Sequence, residues 1–223
     1  MDRHDLLKSL AERIAQTVRP HPIRVAVDGV DAAGKTTLAD ELAPIVRDLG
    51  RPVIRASIDG FHNPAAVRRR RGSLSPEGYF HDSFDRAALI DALLRPLGPG
   101  GSLEFRRAMF DFRTDQPRVV ATERTEPNAV LLLDGVFLLR PELRDHFDFS
   151  IFLRVDFRVT VARAERRDAK LFGGPAEVRE RYEKRYVPGQ RLYLASAEPE
   201  RWASVVIDHD DPLRPVVVPP TTR

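Results

Sequence analysis

The chain has 223 residues, of which 42% are hydrophobic and 31% charged, enough apolar material for one core and therefore for a single globular domain. It contains no cysteine, which excludes disulfides, thiolate zinc sites and cysteine nucleophiles and is typical of a reducing compartment. The net charge of +3 is mildly basic, and a phosphate-rich small ligand explains it as well as nucleic acid would.

The start of the chain and its apolar runs bear on location. Residues 1–5 lack the basic flank, apolar stretch and small-residue cleavage site of a signal peptide. The longest apolar run, residues 129–139, is interrupted by Asp134 and is far short of the ~20 apolar residues that cross a bilayer. We therefore expect a cytoplasmic protein with no membrane contact. Both a monomer and a homo-oligomer are compatible with these features.

The first quarter of the chain alternates helical and strand patterns. Apolar residues at helical spacing predict a helix over residues 5–18. Residues 23–27 form a β-branched strand that runs into a glycine-containing turn, and residues 36–49 carry a second helical pattern. A second strand follows over residues 53–58. The order strand, loop, helix, strand indicates a parallel α/β arrangement.

The middle of the chain, residues 61–121, is predicted to lie over the sheet on the substrate side. Its predicted elements are an Arg-rich helix over 63–72 with Asn63 as N-cap, a loop over 73–83, a helix over 85–94 and a β-ribbon over 103–120. The arginine run 68–71 favours a solvated or anion-facing surface over nucleic-acid binding.

The last third of the chain completes the predicted sheet. Residues 129–133 and 149–155 are near-continuous apolar runs, which is typical of strands buried on both faces of a parallel sheet. Helices are predicted over 157–170 and 176–197, and a last strand over 203–207. The sequence therefore predicts a three-layer α/β/α fold around a central parallel sheet.

A phosphate-binding loop follows the first strand. Residues 29–36 fit the pattern G-x-x-x-x-G-K-[ST] and open a helix, the context in which backbone N–H groups can surround phosphates. Lys35 is expected to bridge the β- and γ-phosphates and the Thr36 hydroxyl to bind Mg²⁺. The candidate ATP-binding residues are Gly29, Val30, Asp31, Ala32, Ala33, Gly34, Lys35, Thr36 and Thr37. The alternative is an ordinary glycine turn before a helix.

Two aspartates end predicted strands. Asp59 follows the second strand, where a carboxylate can accept the proton of an acceptor hydroxyl, and His62 three residues later could orient the substrate. Asp134 ends the strongest apolar strand, the place of an acid that holds Mg²⁺. Both aspartates precede glycine, so an Asp-Gly turn is the alternative for each.

Arginines near a Gly-Gly-Pro break could close over the phosphates. Arg163, Arg166 and Arg167 precede this break, and arginine stabilises the charge that develops on a transferring phosphoryl group. A lid over residues 163–178 would also exclude water. The alternative for any one of them is a surface salt bridge with Glu165 or Asp168.

Several ordered segments together resemble the uridine kinase family, in the group that also holds pantothenate kinase, phosphoribulokinase and nicotinamide riboside kinase. The resemblance spans about residues 23–212. The segments that carry it are VAVDGVDAAGKTTLADELA, ASIDGFHNPAAVRRRRG, GYFHDSFDRAAL, VLLLDGVFLLRPELRDHFDFSIFL and ARAERRD followed by RYEKRYVPGQRLYL.

The resemblance implies a P-loop kinase fold with a five-stranded parallel sheet, a lid and a nucleoside-side β-ribbon. It implies that Asp59 is the catalytic base, that Asp134 is the metal-binding acid where the family usually has glutamate, and that Arg163 and Arg167 are the lid arginines. Adenine is expected near residues 208–212.

The chain departs from this family where the acceptor is recognised. The family reads the base through a Y-D-F-x-x-H-type segment, and this chain has Phe110-Asp111-Phe112-Arg113-Thr114-Asp115 in its place. The expected ribose-holding acid has no clear counterpart, and residues 59–72 look closer to bacterial pantothenate kinase. The candidate substrate-binding residues are Asp59, His62, Tyr79, Phe110 and Asp115.

Three functions are compatible with these residues. The first is an ATP- and Mg²⁺-dependent kinase that acts on a nucleoside such as uridine or cytidine at its 5′-hydroxyl. The second keeps this chemistry and changes the acceptor to pantothenate, nicotinamide riboside or a sugar-like alcohol. The third is a regulatory protein that binds ATP without phosphorylating anything.

Overall fold

The computed structural model describes residues 2–219. Met1, the first residue of the segment in which no signal peptide is expected, lies outside the described residues. A six-stranded sheet forms the centre of the molecule, in the spatial order β10–β9–β8–β1–β7–β2. Its strands are β1 (Ile23–Gly29), β2 (Val53–Ser57), β7 (Val130–Gly135), β8 (Phe149–Arg154), β9 (Val205–Asp208) and β10 (Val216–Val218).

Five of the six strands are parallel, as the sequence predicts for a central parallel sheet. β1 and β7 lie inside this sheet and are buried along their whole length, and their side chains are mostly apolar on both faces. The antiparallel edge strand β10 was not predicted, since it lies in a proline- and valine-rich tail with no clear pattern.

Helices cover both faces of the sheet, each face has one large apolar core, and a small third cluster contains Ala164, Val178 and Tyr182. The helices are α1 (Arg3–Gln16), α2 (Lys35–Asp48), α3 (Ala65–Arg68), α4 (Pro76–Asp82), α5 (Arg86–Leu89), α6 (Pro141–Arg144), α7 (Phe157–Phe172), α8 (Pro175–Arg181), α9 (Val187–Ala197) and α10 (Pro199–Trp202). α1 and α2 supply one core, and α4, α5 and α9 supply residues of the other. The three-layer α/β/α prediction is confirmed.

The described helices offer no membrane span: across residues 2–219, none combines the length and apolar character that crossing a bilayer needs.

Two predictions for residues 63–83 are wrong. The predicted loop over 73–83 contains α4, where the Ser75 hydroxyl accepts a hydrogen bond from the backbone N–H of Gly78 and Pro76 occupies the first turn. The predicted helix over 63–72 is reduced to α3, which follows Pro64 rather than an Asn63 cap and ends at Arg68.

The predicted ribbon over residues 103–120 is present as two short strand pairs. β3 (Glu104–Phe105) pairs with β6 (Glu123–Arg124), and β4 (Phe110–Asp111) pairs with β5 (Gln116–Pro117). The ribbon therefore extends four residues beyond the predicted end. It is fastened to the sheet edge by a hydrogen bond of 2.7 Å from the Met109 N–H to the Gly60 carbonyl.

Candidate functional site

The carboxyl ends of β1, β2 and β7 meet at one edge of the sheet. In the strand register, Asp134 of β7 lies opposite Val27 of β1 on one side and Ser57 of β2 on the other. Asp59 follows β2 in a 3₁₀ turn, Ile58–Phe61. The edge where ligands collect in open α/β sheets therefore carries both predicted acids.

The phosphate-binding loop connects β1 to α2, as predicted. Gly34 adopts a left-handed conformation with φ of 96°, which glycine accepts at no steric cost, and α2 begins at Lys35. The first N–H groups of α2 and the positive end of its dipole therefore face the loop. Such a loop can hold phosphate oxygens with main-chain donors.

Lys35 is buried behind this loop. The residue is only 9% exposed, and its Nζ donates a hydrogen bond of 2.7 Å to the Val30 carbonyl. Burial lowers the pKa of Lys35, and the nearby carboxylates of Asp31, Asp28, Asp134 and Asp59 oppose that shift. An ammonium has three N–H donors, so further donors are available for an anion.

Asp134 is held on both carboxylate oxygens. The Thr36 hydroxyl donates to Oδ2 at 2.7 Å, and Arg55 of β2 donates to Oδ1 at 2.9 Å. Because the Thr36 hydroxyl uses its hydrogen on Asp134, its lone pairs are available to a cation. Arg55 was not predicted as part of the site, because its position in β2 gave no sign that the strand register brings it to Asp134.

Asp59 and His62 form a pair at the start of the substrate-side segment. Nδ1 of His62 donates to the Asp59 carbonyl at 3.0 Å, and the Asp59 carboxylate is 3.9 Å from the same nitrogen. Desolvation by the surrounding residues raises the pKa of Asp59, although 59% of its side chain is exposed; His62 lowers this pKa, and Asp134 and Asp31 raise it further. Burial also lowers the pKa of His62. The raised pKa makes Asp59, in its ionised form, a stronger base than an ordinary carboxylate.

Two cavities open on either side of Asp59. The phosphate-side cavity, of about 460 Å³, contains Asp31, Lys35 and Asp134 in its wall, together with residues of α7. The ribbon-side cavity, of about 870 Å³, lies between β2 and the ribbon. The residues that line both are Thr36, Ser57, Asp59, Phe112 and Arg113.

The candidate substrate-binding residues divide between these places. His62 and Tyr79 line the phosphate-side cavity, and Phe110 lines the ribbon-side cavity. Asp115 lines neither: its carboxylate accepts hydrogen bonds from the Ala65 N–H at 2.8 Å and from Arg68 at 3.0 Å, and so fixes the tip of the ribbon to α3. Their roles in binding a substrate stay predictions.

The two candidate lid arginines point to different partners. Arg167 lines the phosphate-side cavity and makes a two-pronged ion pair with Asp168, at 2.7 and 2.8 Å. Arg163 instead donates to the carbonyls of His209 and Asp210, both at 2.9 Å. It therefore ties α7 to the loop where the resemblance implies adenine. α7 and α8 form a helical hairpin around Gly173, and its closure stays a prediction.

The hydrogen bonds that fix the start of the loop were not predicted from the sequence. Asp28 is fully buried and accepts hydrogen bonds from the Gly29 N–H at 2.8 Å, the Leu139 N–H at 3.1 Å and the Tyr193 hydroxyl. A carboxylate inside an apolar strand was a signal that such partners exist. Their identity was not accessible, since Tyr193 lies 165 residues further along the chain.

Asp31 of the loop is held in a similar way. Its carboxylate accepts a hydrogen bond of 2.6 Å from the Tyr79 hydroxyl and another from the Gln190 side chain. Tyr79 belongs to α4 and Gln190 to α9, so the loop is fixed by two helices of the opposite core.

The residues present fit a Mg²⁺–nucleotide complex. Within residues 2–219 no group of three or more His, Cys, Asp or Glu side chains could hold a metal alone. Mg²⁺ bound to a nucleotide needs only one or two protein oxygens, because phosphates and water complete its shell. Thr36 and Asp134 would supply the protein oxygens, directly or through water, and the loop with Lys35 would hold the phosphates.

Comparisons with known proteins agree with this geometry. The sequence model of the phosphoribulokinase/uridine kinase family matches residues 24–186. Uridine kinase from Shewanella amazonensis is 28% identical over 192 residues, which cover 82% of this chain and 85% of that protein. Uridine kinase-like protein 3 from Arabidopsis thaliana is 26% identical over 83% of this chain, which spans only 39% of that longer protein.

A solved structure gives the same fold. The structure of a possible uridine kinase from Bacillus stearothermophilus superimposes with a TM-score of 0.70 at 23% identity, and the match covers 91% of this chain and 97% of that one. The family match spans the phosphate-binding loop, Asp59, Asp134 and both candidate lid arginines. The chain has a P-loop kinase fold and belongs to the phosphoribulokinase/uridine kinase family.

Proposed function

We propose that this protein is an ATP- and Mg²⁺-dependent kinase that phosphorylates a hydroxyl group of a small metabolite. One observation carries the proposal: Lys35, Thr36 and Asp134 line the same cavity as Asp59. A phosphate loop, a metal-binding pair and a carboxylate base within one cavity are the parts that phosphoryl transfer to an alcohol requires.

Each residue has a separate task in this proposal. The loop and Lys35 hold the triphosphate, and Mg²⁺ held by Thr36 and Asp134 would neutralise its phosphate oxygens. Asp59 accepts the proton of the acceptor hydroxyl as the bond from its oxygen to the γ-phosphorus forms and the bond to the β-phosphate oxygen breaks, which releases ADP. Arg167 and, after closure of the α7–α8 hairpin, Arg163 would stabilise the transferring group.

A nucleoside such as uridine or cytidine, phosphorylated at its 5′-hydroxyl, is the first acceptor to consider. The names of the related uridine kinases support it, and so do the aromatic walls of the phosphate-side cavity. There the His62 ring lies 4.5 Å from that of Phe84 and 4.7 Å from that of Phe112. Pantothenate, nicotinamide riboside and sugar-like alcohols are the alternative acceptors. A cytoplasmic location is part of the same proposal.

The decisive experiment follows ADP formation with Mg·ATP and a panel of these acceptors. Acceptor-dependent ADP formation is expected, with the phosphorylated product identified by mass spectrometry. Asp59→Asn should lower turnover by about 10²–10⁴-fold and leave ATP affinity, measured by calorimetry, nearly unchanged. A regulatory ATP-binding protein would bind Mg·ATP equally well but form no ADP with any acceptor, and this result would defeat the proposal.

A further inference from the structure

The ribbon-side cavity is lined by an unusual number of arginines. Four of its wall residues are arginines: Arg55, Arg107, Arg113 and Arg118. Their pairing inside the protein shows which of them are already used.

Two of the four arginines have carboxylate partners. Arg55 is paired with Asp134 and with Asp40, both at under 3 Å (2.9 and 2.8 Å). Arg107 makes a two-pronged ion pair with Glu123 of the opposite ribbon strand, at 2.8 and 2.6 Å. These pairs hold the walls of the cavity together.

The other two arginines have no such partner. Among residues 2–219, no Asp or Glu oxygen lies within 4.0 Å of a guanidinium nitrogen of Arg113 or Arg118. The Arg113 guanidinium carbon is 5.9 Å from the centre of the Phe112 ring, a contact that does not neutralise its charge. The Arg113 N–H is the largest cause that lowers the pKa of Asp111, which lines the same cavity, and Arg118 is near enough to this carboxylate to help lower it. Neither arginine makes an ion pair with a described residue, however, and both can donate to a ligand in the cavity.

Backbone hydrogen bonds of the ribbon fix the position of its arginines relative to Asp59. The Met109 N–H donates to the carbonyl of Gly60, the residue after Asp59, at 2.7 Å. The Arg118 N–H in turn donates to the Met109 carbonyl at 2.9 Å. Arg113 lines both cavities and thus stands where they join. An acceptor whose hydroxyl faces Asp59 can extend its other end towards Arg113 and Arg118.

We propose that the acceptor carries an oxyanion, a carboxylate or a phosphate, which pairs with Arg113 and Arg118 while its hydroxyl faces Asp59. This inference rests on the proposed function and sharpens it, because it moves anionic alcohols ahead of neutral nucleosides among the acceptors. Guanidinium groups match both oxyanions by forked hydrogen bonds. Both arginines are exposed, so water and salt partly screen the attraction.

The test compares acceptors that differ in one charged group. Glycerate and glycerol, pantothenate and panthenol, and ribose 5-phosphate and ribose form matched pairs, to which uridine and cytidine are added. ADP formation is followed with saturating Mg·ATP. We expect the charged member of one pair to have the highest kcat/KM of the panel, at least tenfold above its neutral twin. The pair that responds distinguishes a carboxylate from a phosphate.

Arg118→Gln is the discriminating variant, because Arg118 lines only the ribbon-side cavity. It should raise the KM of the charged acceptor about tenfold and leave kcat and the KM of Mg·ATP within twofold. Arg124→Gln is the matched control, since Arg124 lies on the same ribbon but outside both cavities and is 73% exposed. It should change none of these constants.

The possible failures are separable. If uridine or cytidine is the best acceptor and Arg118→Gln does not change its KM, the oxyanion inference is wrong and the kinase function stands. If no acceptor supports ADP formation, the proposed function fails and this inference fails with it. If Arg118→Gln and Arg124→Gln raise the KM of the charged acceptor equally, the effect comes from the overall surface charge and not from binding at Arg113 and Arg118, and the inference is again wrong.

Discussion

The phosphate-side and ribbon-side cavities share Asp59 but are formed by different kinds of structural element. The phosphate side rests on strands buried along their whole length, a helix terminus and polar groups with internal partners such as Asp28 and Asp134. The ribbon side rests on strands of two residues each, with exposed arginines. Backbone geometry therefore forms the first cavity, whereas side-chain identity forms the second. We therefore expect substitutions in the phosphate-side cavity to affect the reaction with every acceptor, and substitutions in the ribbon-side cavity to affect the choice of acceptor.

The largest effect is expected on the phosphate side, from Lys35→Met. The substitution keeps the length of the side chain and removes the buried charge that faces the phosphates, so kcat/KM should fall about 10³-fold for every acceptor. Steady-state ADP formation measures this loss. Lys8→Met, at an exposed position of α1, is the control and should leave the rate unchanged. A loss for one acceptor only would contradict the division between the two cavities.

A second large effect is expected behind the loop, on stability. Asp28→Ala leaves the Gly29 N–H and the Tyr193 hydroxyl without their acceptor and takes from the Leu139 N–H one of its two acceptors, and should lower the free energy of unfolding by about 3 kcal/mol. Urea unfolding monitored by circular dichroism measures it. Tyr193→Phe removes one donor to Asp28 and one of the two acceptors of the Leu139 N–H, and should cost about 1–2 kcal/mol. Equal costs for both variants would show that the carboxylate itself contributes little.

On the ribbon side, Gly60→Ala should affect one substrate only. An added Cβ would lie 2.7 Å from the Cβ of Ala108, so the ribbon must move away from Asp59. Such overpacking costs about 1–3 kcal/mol, and the acceptor KM should rise about tenfold while the KM of Mg·ATP stays constant. Thr122→Ala, exposed in the same segment, is the control. An equal rise in both KM values would mean that the two cavities are not independent.

The same division explains what the sequence could predict. The pattern over residues 29–36 dictates its own backbone, and apolar runs define β1, β7 and β8, so the sheet and the loop were predictable. The pairs Asp28–Tyr193 and Arg55–Asp134 join residues 165 and 79 positions apart, and only the folded topology brings them together. Local spacing carries no trace of such contacts.

The loop predicted over residues 73–83 is a different kind of error. Ser75 followed by Pro76 is the signal of a helix start, and α4 begins there. Gly78 and the short length of the helix hid this signal. The ribbon was harder to predict, because its strands contain two residues each and its bounds depend on packing against Gly60. Acceptor recognition is therefore the part of the site that most needs experiment.

The smallest effect expected lies at the boundary between the cavities, in the pH dependence of the reaction. Asp59 must be ionised to accept a proton, so kcat/KM rises with pH through its pKa. Desolvation is the largest cause that raises this pKa, and His62 in its protonated form is the largest cause that lowers it, followed by Lys35. His62→Gln removes the larger of these two lowering causes, so the acidic limb of the pH profile should move to higher pH.

This shift is small because burial and the neighbouring carboxylates Asp134 and Asp31 still act on Asp59 in the variant, as does Lys35. The rate on the alkaline side of the limb should change little, since Asp59 is ionised there in both proteins. Profiles of kcat/KM against pH for the wild type, His62→Gln and His4→Gln measure it, the last being an exposed histidine of α1. If the limb moves to lower pH in His62→Gln but not in His4→Gln, the residue that titrates in this limb is not Asp59, and the base must be sought elsewhere along the sheet edge.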